Sequence, residues 1–277
     1  MKKLLFMLAG LLLLAAGQGA PAAAAESKVR AELVEDSAMA QVLRRGVLRV
    51  GMDTFVPWAM PDKNGEWTGF EIEVARRLAE DLKVKVEFVP TAWSGIIPAL
   101  LTGKFDILIG GMSIRPDRSQ KVNFTIPYYT TGTALAASSK VAPGLRKLAD
   151  FDKPGMVIVS RTGTTAAAAA RKYLPHAEHK HFDSEALCTQ ELLAGRAAAF
   201  VGNAPLPAQL AVENPDKLYA PFAGEFTKEP IAMAVRKGDV DTLNVLDSWI
   251  TMVDAEGWFA ERKHYWFETK DWEKLIK

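Results

Sequence analysis

The amino-acid sequence predicts an α/β fold made of two units, each an open sheet flanked by helices. The first observation is that short apolar runs alternate with amphipathic segments from Gly46 to Ile109, a rhythm typical of such sheets. The second is that the same alternation starts again at Met156 and continues to Val201. The third is composition, because 277 residues with 49% hydrophobic and 24% charged side chains are typical of a globular protein with room for two cores.

The first unit begins with a strand over 47–50 and a loop over 53–69 that is rich in proline and turn residues. A helix is predicted over 70–82 because apolar residues recur there at intervals of four: Phe70, Val74, Leu78 and Leu82. The unit continues with a strand at 84–89, a short helix at 93–101 that Gly103 closes, and a continuous apolar strand at 105–109.

The second unit repeats this order with different residues. Its predicted elements are a strand at 156–160, an alanine-rich helix at 165–173, a helix at 184–194 ended by Gly195, and a strand at 197–201. Because ligands bind beyond the carboxyl ends of strands in open sheets, the loops after Val50 and Ile109 are the first places to look for a site.

Two extended segments, 128–135 and 230–235, connect the units and indicate a two-strand hinge. Helices follow at 240–255 and from 258 to about 265. We therefore predict a discontinuous first lobe over 26–130 and 230–277, and a second lobe over 131–229.

The first 25 residues are predicted to be a secretory signal peptide. Lys2 and Lys3 precede a short apolar run, and small residues at 23–25 form an A-x-A cleavage site. The apolar run is shorter than the roughly 20 residues of a spanning helix. Export without any possible internal disulfide indicates a bacterial periplasm, because Cys188 is the single cysteine.

Several classes of function are disfavoured by composition. A net charge of +1 supplies no excess of cations for binding nucleic acid. Three of the four histidines lie within 176–181, but no carboxylate or cysteine completes a familiar metal-binding pattern there. Cys188 has no evident base partner and is expected to be a packed thiol. We therefore expect no metal, no cofactor and no catalytic residues.

The loop Gly110–Arg118 carries the strongest candidate ligand-binding groups. Its two glycines let the backbone approach a ligand, Ser113 offers a hydroxyl, and Arg118 offers a guanidinium that matches a carboxylate. Pro116 can start a helix whose free N–H groups would add to the same site. A simple turn with a solvated arginine is equally consistent with these residues.

Two further loops could contribute to the same site. Backbone amides at 163–165 precede a helix and could bind an anion, although a simple capped turn is equally consistent with this sequence. Phe55 and Trp58 follow the first strand and could stack on a ligand, but core packing is the better interpretation of either residue alone.

Together these segments resemble the bacterial periplasmic substrate-binding proteins for polar amino acids, the solute-binding proteins of family 3. The resemblance covers roughly 40–270 and depends on motifs in a fixed order: Trp67-Thr-Gly-Phe-Glu-Ile-Glu-Val-Ala, Gly95-Ile-Ile-Pro-Ala-Leu-Leu-Thr-Gly-Lys-Phe-Asp106, Gly111-Met-Ser-Ile-Arg-Pro-Asp-Arg118, Val122-Asn-Phe-Thr-Ile-Pro-Tyr-Tyr129 and Gly163-Thr-Thr165. It implies the two-lobed type II periplasmic-binding-protein fold, a monomer, a ligand clamped between the lobes, and delivery to an inner-membrane ABC permease.

The resemblance also implies roles for particular residues. Arg118 would bind the ligand carboxylate, with help from the backbone amides of Arg115 and Thr164. Ser113 and the Gly111 carbonyl would meet the ligand amino group. The side-chain pocket would be walled by Phe55 and Trp58.

Three departures from the family pattern concern this site. Arg115 stands where threonine is usual, Asn203 stands where an aspartate usually pairs with the ligand ammonium, and the acidic residue of the first loop is displaced to Asp53. These changes leave the site more positive than usual. A small organic anion therefore stays open as the ligand beside an amino acid.

Two other functions are alternatives to a carrier. A periplasmic cyclohexadienyl dehydratase resembles this chain in the same segments, but the resemblance places its general-acid glutamate at Leu206. A ligand sensor normally lies in a longer chain with a spanning helix, and no such helix follows in this sequence. A carrier is therefore the expectation.

Overall fold

The computed structural model describes residues 37–276. The predicted signal peptide lies outside these residues. Within them, no helix combines the length and the apolar character that crossing a membrane requires.

Two mixed five-stranded sheets organise the chain, in strand orders β4-β1-β5-β14-β6 and β10-β9-β11-β8-β12. In chain order, strands β1 to β14 span Val47–Met52, Met60–Pro61, Trp67–Thr68, Lys85–Pro90, Ile107–Leu108, Val122–Phe124, Tyr129–Thr131, Thr133–Ser138, Val157–Arg161, Glu178–Phe182, Ala199–Asn203, Leu218–Tyr219, Glu229–Ile231 and Ala234–Arg236. In both sheets three neighbouring strands are parallel and the next strand is antiparallel. The carboxyl ends of the three parallel strands therefore lie at the same end of each sheet.

Helices flank both sheets, as predicted for an α/β fold. In chain order, helices α1 to α9 span Ala38–Arg45, Phe70–Asp81, Ile96–Leu101, Pro116–Ser119, Thr165–Tyr173, Glu185–Leu193, Leu206–Glu213, Val240–Ala255 and Trp258–Lys263. Shorter helical turns occupy Trp93–Gly95, Leu148–Phe151, His264–Glu268 and Asp271–Leu275. Local signals set several boundaries, since the hydroxyls of Thr164 and Ser184 cap α5 and α6.

The two sheets are connected by β7 and β13, which pair with each other antiparallel. The chain passes through β7 into β8 of the second sheet and returns through β13 to β14 of the first. This pair corresponds to the two extended segments expected to form a hinge. The lobe bounds given above stay a prediction.

Each sheet has its own core. The core of the first sheet contains a group of aromatic side chains that packs with α2 and the C-terminal helices. This group includes Trp58, Phe70, Tyr128, Phe259 and Trp266. The second sheet is covered on its two faces by separate apolar clusters, one around Phe151 and one around Phe200. Cys188 is buried in the latter cluster as a free thiol, as expected.

Two segments differ from the sequence-based expectation. The loop at 53–69 contains a small hairpin, because β2 and β3 pair antiparallel. The histidine-rich segment forms β10, an edge strand in which His181 Nδ1 lies 2.9 Å from Ser160 Oγ. An edge strand tolerates polar residues on its open side, so periodicity did not reveal it. Among the described residues no group of His, Cys, Asp or Glu side chains could hold a metal ion.

Candidate ligand-binding site

A small cavity of about 20 Å³ lies where loops from the two sheets meet. Its walls come from the carboxyl ends of strands in both sheets and from the helices that follow them. The lining residues are Phe55, Trp93, Gly111, Ser113, Arg118, Arg161, Thr164, Thr165, Glu185 and Asn203. This volume holds about one water molecule, so a larger ligand requires the walls to move apart.

A second cavity, of about 820 Å³, lies at the hinge strand β7 and the C-terminal helices. Tyr129, Glu225 and Lys263 are among its lining residues. None of the three loops singled out by the sequence analysis lines it. The smaller cavity is therefore the candidate site despite its size.

Five of the eight residues predicted for the site line the cavity, from segments that follow strands of the first sheet or from the start of α5: Phe55, Gly111, Ser113, Arg118 and Thr164. Asn203, at the end of β11, is a sixth. Trp58 and Arg115 are placed elsewhere.

Trp58 does not wall the pocket, and its expected role is corrected. Its side chain is 0% exposed and stacks behind Phe55, with ring centroids 5.5 Å apart. It also packs edge-on against Phe70 and Tyr129. An indole this large gains more from full burial in the core than a cavity wall would give it, so it supports Phe55 from behind.

Arg115 also differs from its expected contribution. Its guanidinium forms two hydrogen bonds to Asp117, of 2.8 and 3.1 Å, and lies outside the cavity lining. A third, longer contact of 3.5 Å reaches the Thr164 carbonyl. Asp117 offsets part of this charge, but the positive potential of Arg115 still acts on Arg118. The proposed contact through its backbone amide stays a prediction.

Arg118 is a buried cation. Its side chain is 5% exposed and donates to the Ser113 carbonyl at 2.9 Å and to the Gly163 carbonyl at 3.2 Å. Within residues 37–276 no carboxylate comes within ion-pair distance of it. Burial lowers its pKa to about 10, and the charge of Arg115 acts in the same direction, so it remains protonated at neutral pH. A buried charge without a counter-ion favours binding of an anion.

The loop that carries Ser113 is fixed to the hinge strand β13. Ile114 N donates to the Pro230 carbonyl at 2.9 Å, and Ala232 N donates to the Met112 carbonyl at 3.1 Å. Ser113 itself lies opposite Ile231 in an isolated antiparallel bridge. These contacts bring Ser113 close to Glu229, a residue that the sequence analysis did not single out.

Glu229 is 7% exposed and accepts hydrogen bonds on both oxygens. Ser113 Oγ donates to Oε2 at 2.8 Å, and Asn203 Nδ2 donates to the same atom at 3.1 Å. Thr133 Oγ1 and Thr227 Oγ1 donate to Oε1 at 2.7 and 2.8 Å. Burial acts to raise the pKa of Glu229, but the hydroxyl hydrogen bonds outweigh it and hold the pKa below its usual value, so the carboxylate is ionised.

Arg161 and Glu185 add a second group of charged side chains to the cavity lining. Arg161, at the end of β9, pairs with Asp53 and donates to the Thr54 carbonyl at 3.3 Å. These contacts connect the second sheet to the loop that follows β1. The guanidinium carbon of Arg161 lies 5.8 Å from the Trp93 ring centre. Glu185 is half-buried at the start of α6, and burial raises its pKa to about 7, with Arg161 opposing the shift.

Some of the missed residues had a signal in the sequence. The strand-end rule, applied also to the strand at 84–89, would have pointed to Trp93. Arg161 precedes the turn whose amides are predicted to bind an anion, but the sequence does not show that its side chain faces the same site. Glu229 and Glu185 had no local signal, because their significance comes from partners far away in the sequence.

The backbone of Gly111 is positioned by Glu71, a fully buried residue of α2. Glu71 Oε1 accepts from Gly111 N at 2.8 Å, and the Tyr128 hydroxyl donates to the same carboxylate at 2.7 Å. Gly111 has φ +69°, which favours glycine, and a side chain there would meet Trp58 at 3.3 Å.

Glu71→Gln is expected to change the pH dependence of stability. Burial raises the pKa of Glu71 from 4.5 to about 7. Between these values the unfolded chain releases a proton that the folded chain retains, so the free energy of unfolding falls as pH rises. Glutamine does not titrate, so from pH 4.5 to 7.5 the variant should gain about 3 kcal/mol relative to the wild type.

Urea unfolding across that pH range measures this difference. Glu80→Gln, on the exposed face of the same helix, is the matched control and should follow the wild type. Parallel curves for Glu71→Gln and the wild type would contradict the expected titration of Glu71.

Comparison with known proteins gives a consistent result. The sequence profile of the bacterial extracellular solute-binding proteins, family 3, matches residues 48–269. The L-cystine-binding protein TcyJ of Escherichia coli is 28% identical over 234 residues, which covers 84% of this chain and 87% of that protein.

Two further similar proteins connect binding with catalysis. The cyclohexadienyl dehydratase of Pseudomonas aeruginosa is 25% identical over 239 residues, covering 84% of this chain and 87% of the enzyme. The crystal structure of the ancestral amino acid-binding protein AncCDT-1, a precursor of cyclohexadienyl dehydratase, is 39% identical with a TM-score of 0.76. The match covers 83% of this chain and 99% of the chain in that structure.

Proposed function

The chain belongs to the bacterial extracellular solute-binding proteins of family 3, and we propose that it is the periplasmic substrate-binding component of an ABC importer. It captures a small polar amino acid, or a related small carboxylate, between its two lobes and delivers it to an inner-membrane permease. It acts as a monomer and takes its periplasmic location from the signal peptide predicted over residues 1–25.

The observation that carries this proposal is Arg118. Its buried guanidinium donates to two carbonyl oxygens and lies 5.6 Å from the centre of the Trp93 ring, but pairs with no carboxylate of the described residues. This leaves a strong site for a ligand carboxylate, and the fork geometry suits two parallel hydrogen bonds. The carbonyls that Arg118 now contacts belong to both lobes, Ser113 in the first and Gly163 in the second. A carboxylate on Arg118 would therefore lie between the lobes.

Hinge closure follows from the shape of the site. The 20 Å³ cavity is too small for an amino acid, so the ligand must enter while β7 and β13 hold the two sheets further apart. A ligand that touches both lobes then favours the closed form through its greater affinity for that form.

A cyclohexadienyl dehydratase-like activity is the second candidate. Glu185 supports it, since a half-buried carboxyl group with a pKa near 7 lines the cavity and could act as a general acid. Leu206, at the start of α7, argues against it, because the resemblance places the general acid of the dehydratase at this position. Binding is therefore the main proposal.

A thermal-shift screen of the mature protein tests the proposed function. The panel contains the amino acids, small dicarboxylates and prephenate. A ligand at 100 times its dissociation constant should add about 2.7 kcal/mol to stability, which is a shift of several degrees for a protein of this size. X-ray scattering should then show a smaller radius of gyration with the ligand than without it.

The outcomes separate the candidates. A shift with an amino acid or a small carboxylate, without turnover, supports the carrier. Release of product from prephenate in a direct assay would favour the dehydratase. No shift with any compound would contradict the carrier proposal.

A further inference from the structure

We propose that Glu229 supplies the negative charge that selects a ligand with a protonated α-amino group, acting through Ser113 and Asn203. This inference rests on the proposed function, since it names the ligand class of the same site. It assigns the negative charge of the site to the hinge strand β13, because position 203 carries an amide in this chain.

The hydrogen bonds to Glu229 determine which atoms can face a ligand. The Ser113 hydroxyl donates its single hydrogen to Glu229 Oε2, so its oxygen lone pairs can accept a hydrogen bond from a ligand. Asn203 Nδ2 donates to Glu229 Oε2 and to Thr165 Oγ1, both at 3.1 Å, which uses both amide hydrogens. Its Oδ1 is then the amide atom able to accept from a ligand. Both cavity-lining residues thus offer acceptors, and an ammonium group is a pure donor.

The positions of the charges fit a zwitterion. Ser113 is contacted by both Arg118, on its carbonyl oxygen, and Glu229, on its hydroxyl. A cation and an anion therefore flank one residue at the cavity wall. An α-amino acid carries its carboxylate and ammonium on a single carbon, so it can place one group toward each charge. An acid without the amino group can satisfy only Arg118.

The charge balance of the site supports this assignment. Asp117 offsets part of the charge of Arg115 in an ion pair, and Arg161 pairs with Asp53. Glu229 is ionised because four side chains donate to it. The excess of positive charge inferred from the sequence is thereby reduced, which favours a zwitterion over a simple anion.

The test is the ratio of two affinities measured by isothermal titration. The probes are L-glutamine with glutaramate and L-lysine with 6-aminohexanoate, each pair differing only in the α-amino group, together with the amino acid that gives the largest thermal shift and its des-amino analogue. The wild type should bind the amino acid at least tenfold more tightly than its analogue. A unit charge about 6 Å from the ammonium changes affinity roughly 10- to 100-fold, so Glu229→Gln should reduce the ratio by that factor.

Two further variants separate charge from structure. Glu225→Gln makes the same substitution at an exposed position four residues away and should leave the ratio unchanged. Asn203→Asp introduced into Glu229→Gln returns a carboxylate to the cavity wall and should restore the preference for the amino acid. A merely structural role of Glu229 would not be rescued by this second change.

The results distinguish the inference from the function on which it rests. An unchanged ratio in a folded Glu229→Gln protein would overturn the inference alone. Equal wild-type affinity for the amino acids and their analogues would also overturn it, while carboxylate binding at Arg118 would stand. Failure of the wild type to bind any amino acid or acid would overturn the proposed function, and the inference with it.

Discussion

Arg118→Ala is expected to weaken ligand binding by about 3–5 kcal/mol, which is a loss of at least a hundredfold in affinity. The side chain is 5% exposed, so its charge interacts with a bound carboxylate in a largely dehydrated setting. Alanine removes both hydrogen bonds to that carboxylate and leaves it buried without a counter-ion. Isothermal titration with the ligand found in the thermal-shift screen measures the change.

Arg115→Ala is the matched control for this experiment. It removes an arginine three residues away that already pairs with Asp117 and lies outside the cavity lining, and it leaves the backbone amide in place. Its effect should stay within about 1 kcal/mol, the range of exposed ion pairs. Equal losses in the two variants would show that long-range charge, not a direct contact with Arg118, governs affinity.

Trp58→Ala is expected to lower the free energy of unfolding by about 3–5 kcal/mol. The indole is fully buried and contacts four aromatic rings, those of Phe55, Phe70, Tyr129 and Phe267. Truncation leaves a cavity that rigid rings cannot fill. Because Phe55 loses its stacking partner at the cavity wall, affinity for the ligand should fall as well. Urea unfolding and titration measure the two effects.

Trp58→Phe and Tyr173→Ala provide the comparison. Within the described residues Trp58 Nε1 is buried without a hydrogen-bond partner, so phenylalanine removes an unsatisfied donor and should recover most of the lost stability. Tyr173 is 41% exposed, and its truncation should cost under about 1 kcal/mol. A small effect of Trp58→Ala would mean that this side chain does not hold the first core together.

The helices were predictable because their signals are local. The helices expected at 165–173 and 240–255 agree with the observed bounds of α5 and α8, and the helix expected at 70–82 ends one residue earlier. Apolar spacing and capping residues lie within the segment itself, so no distant contact is needed to find them. The edge strand β10 and the hairpin of β2 and β3 were missed because pairing partners, not their own residues, define them.

The sequence by itself determined the two α/β units, the extended connections between them and the strand-end loops that carry Phe55, Ser113 and Arg118. Only the tertiary structure decided that Trp58 lies behind the cavity wall and that the guanidinium of Arg115 pairs with Asp117. It also brought Glu229 to Ser113, 116 positions away in the chain. The physical reason is that secondary structure depends on neighbours within a few residues, whereas the charge of a site depends on distances of a few ångströms between residues that only folding brings together.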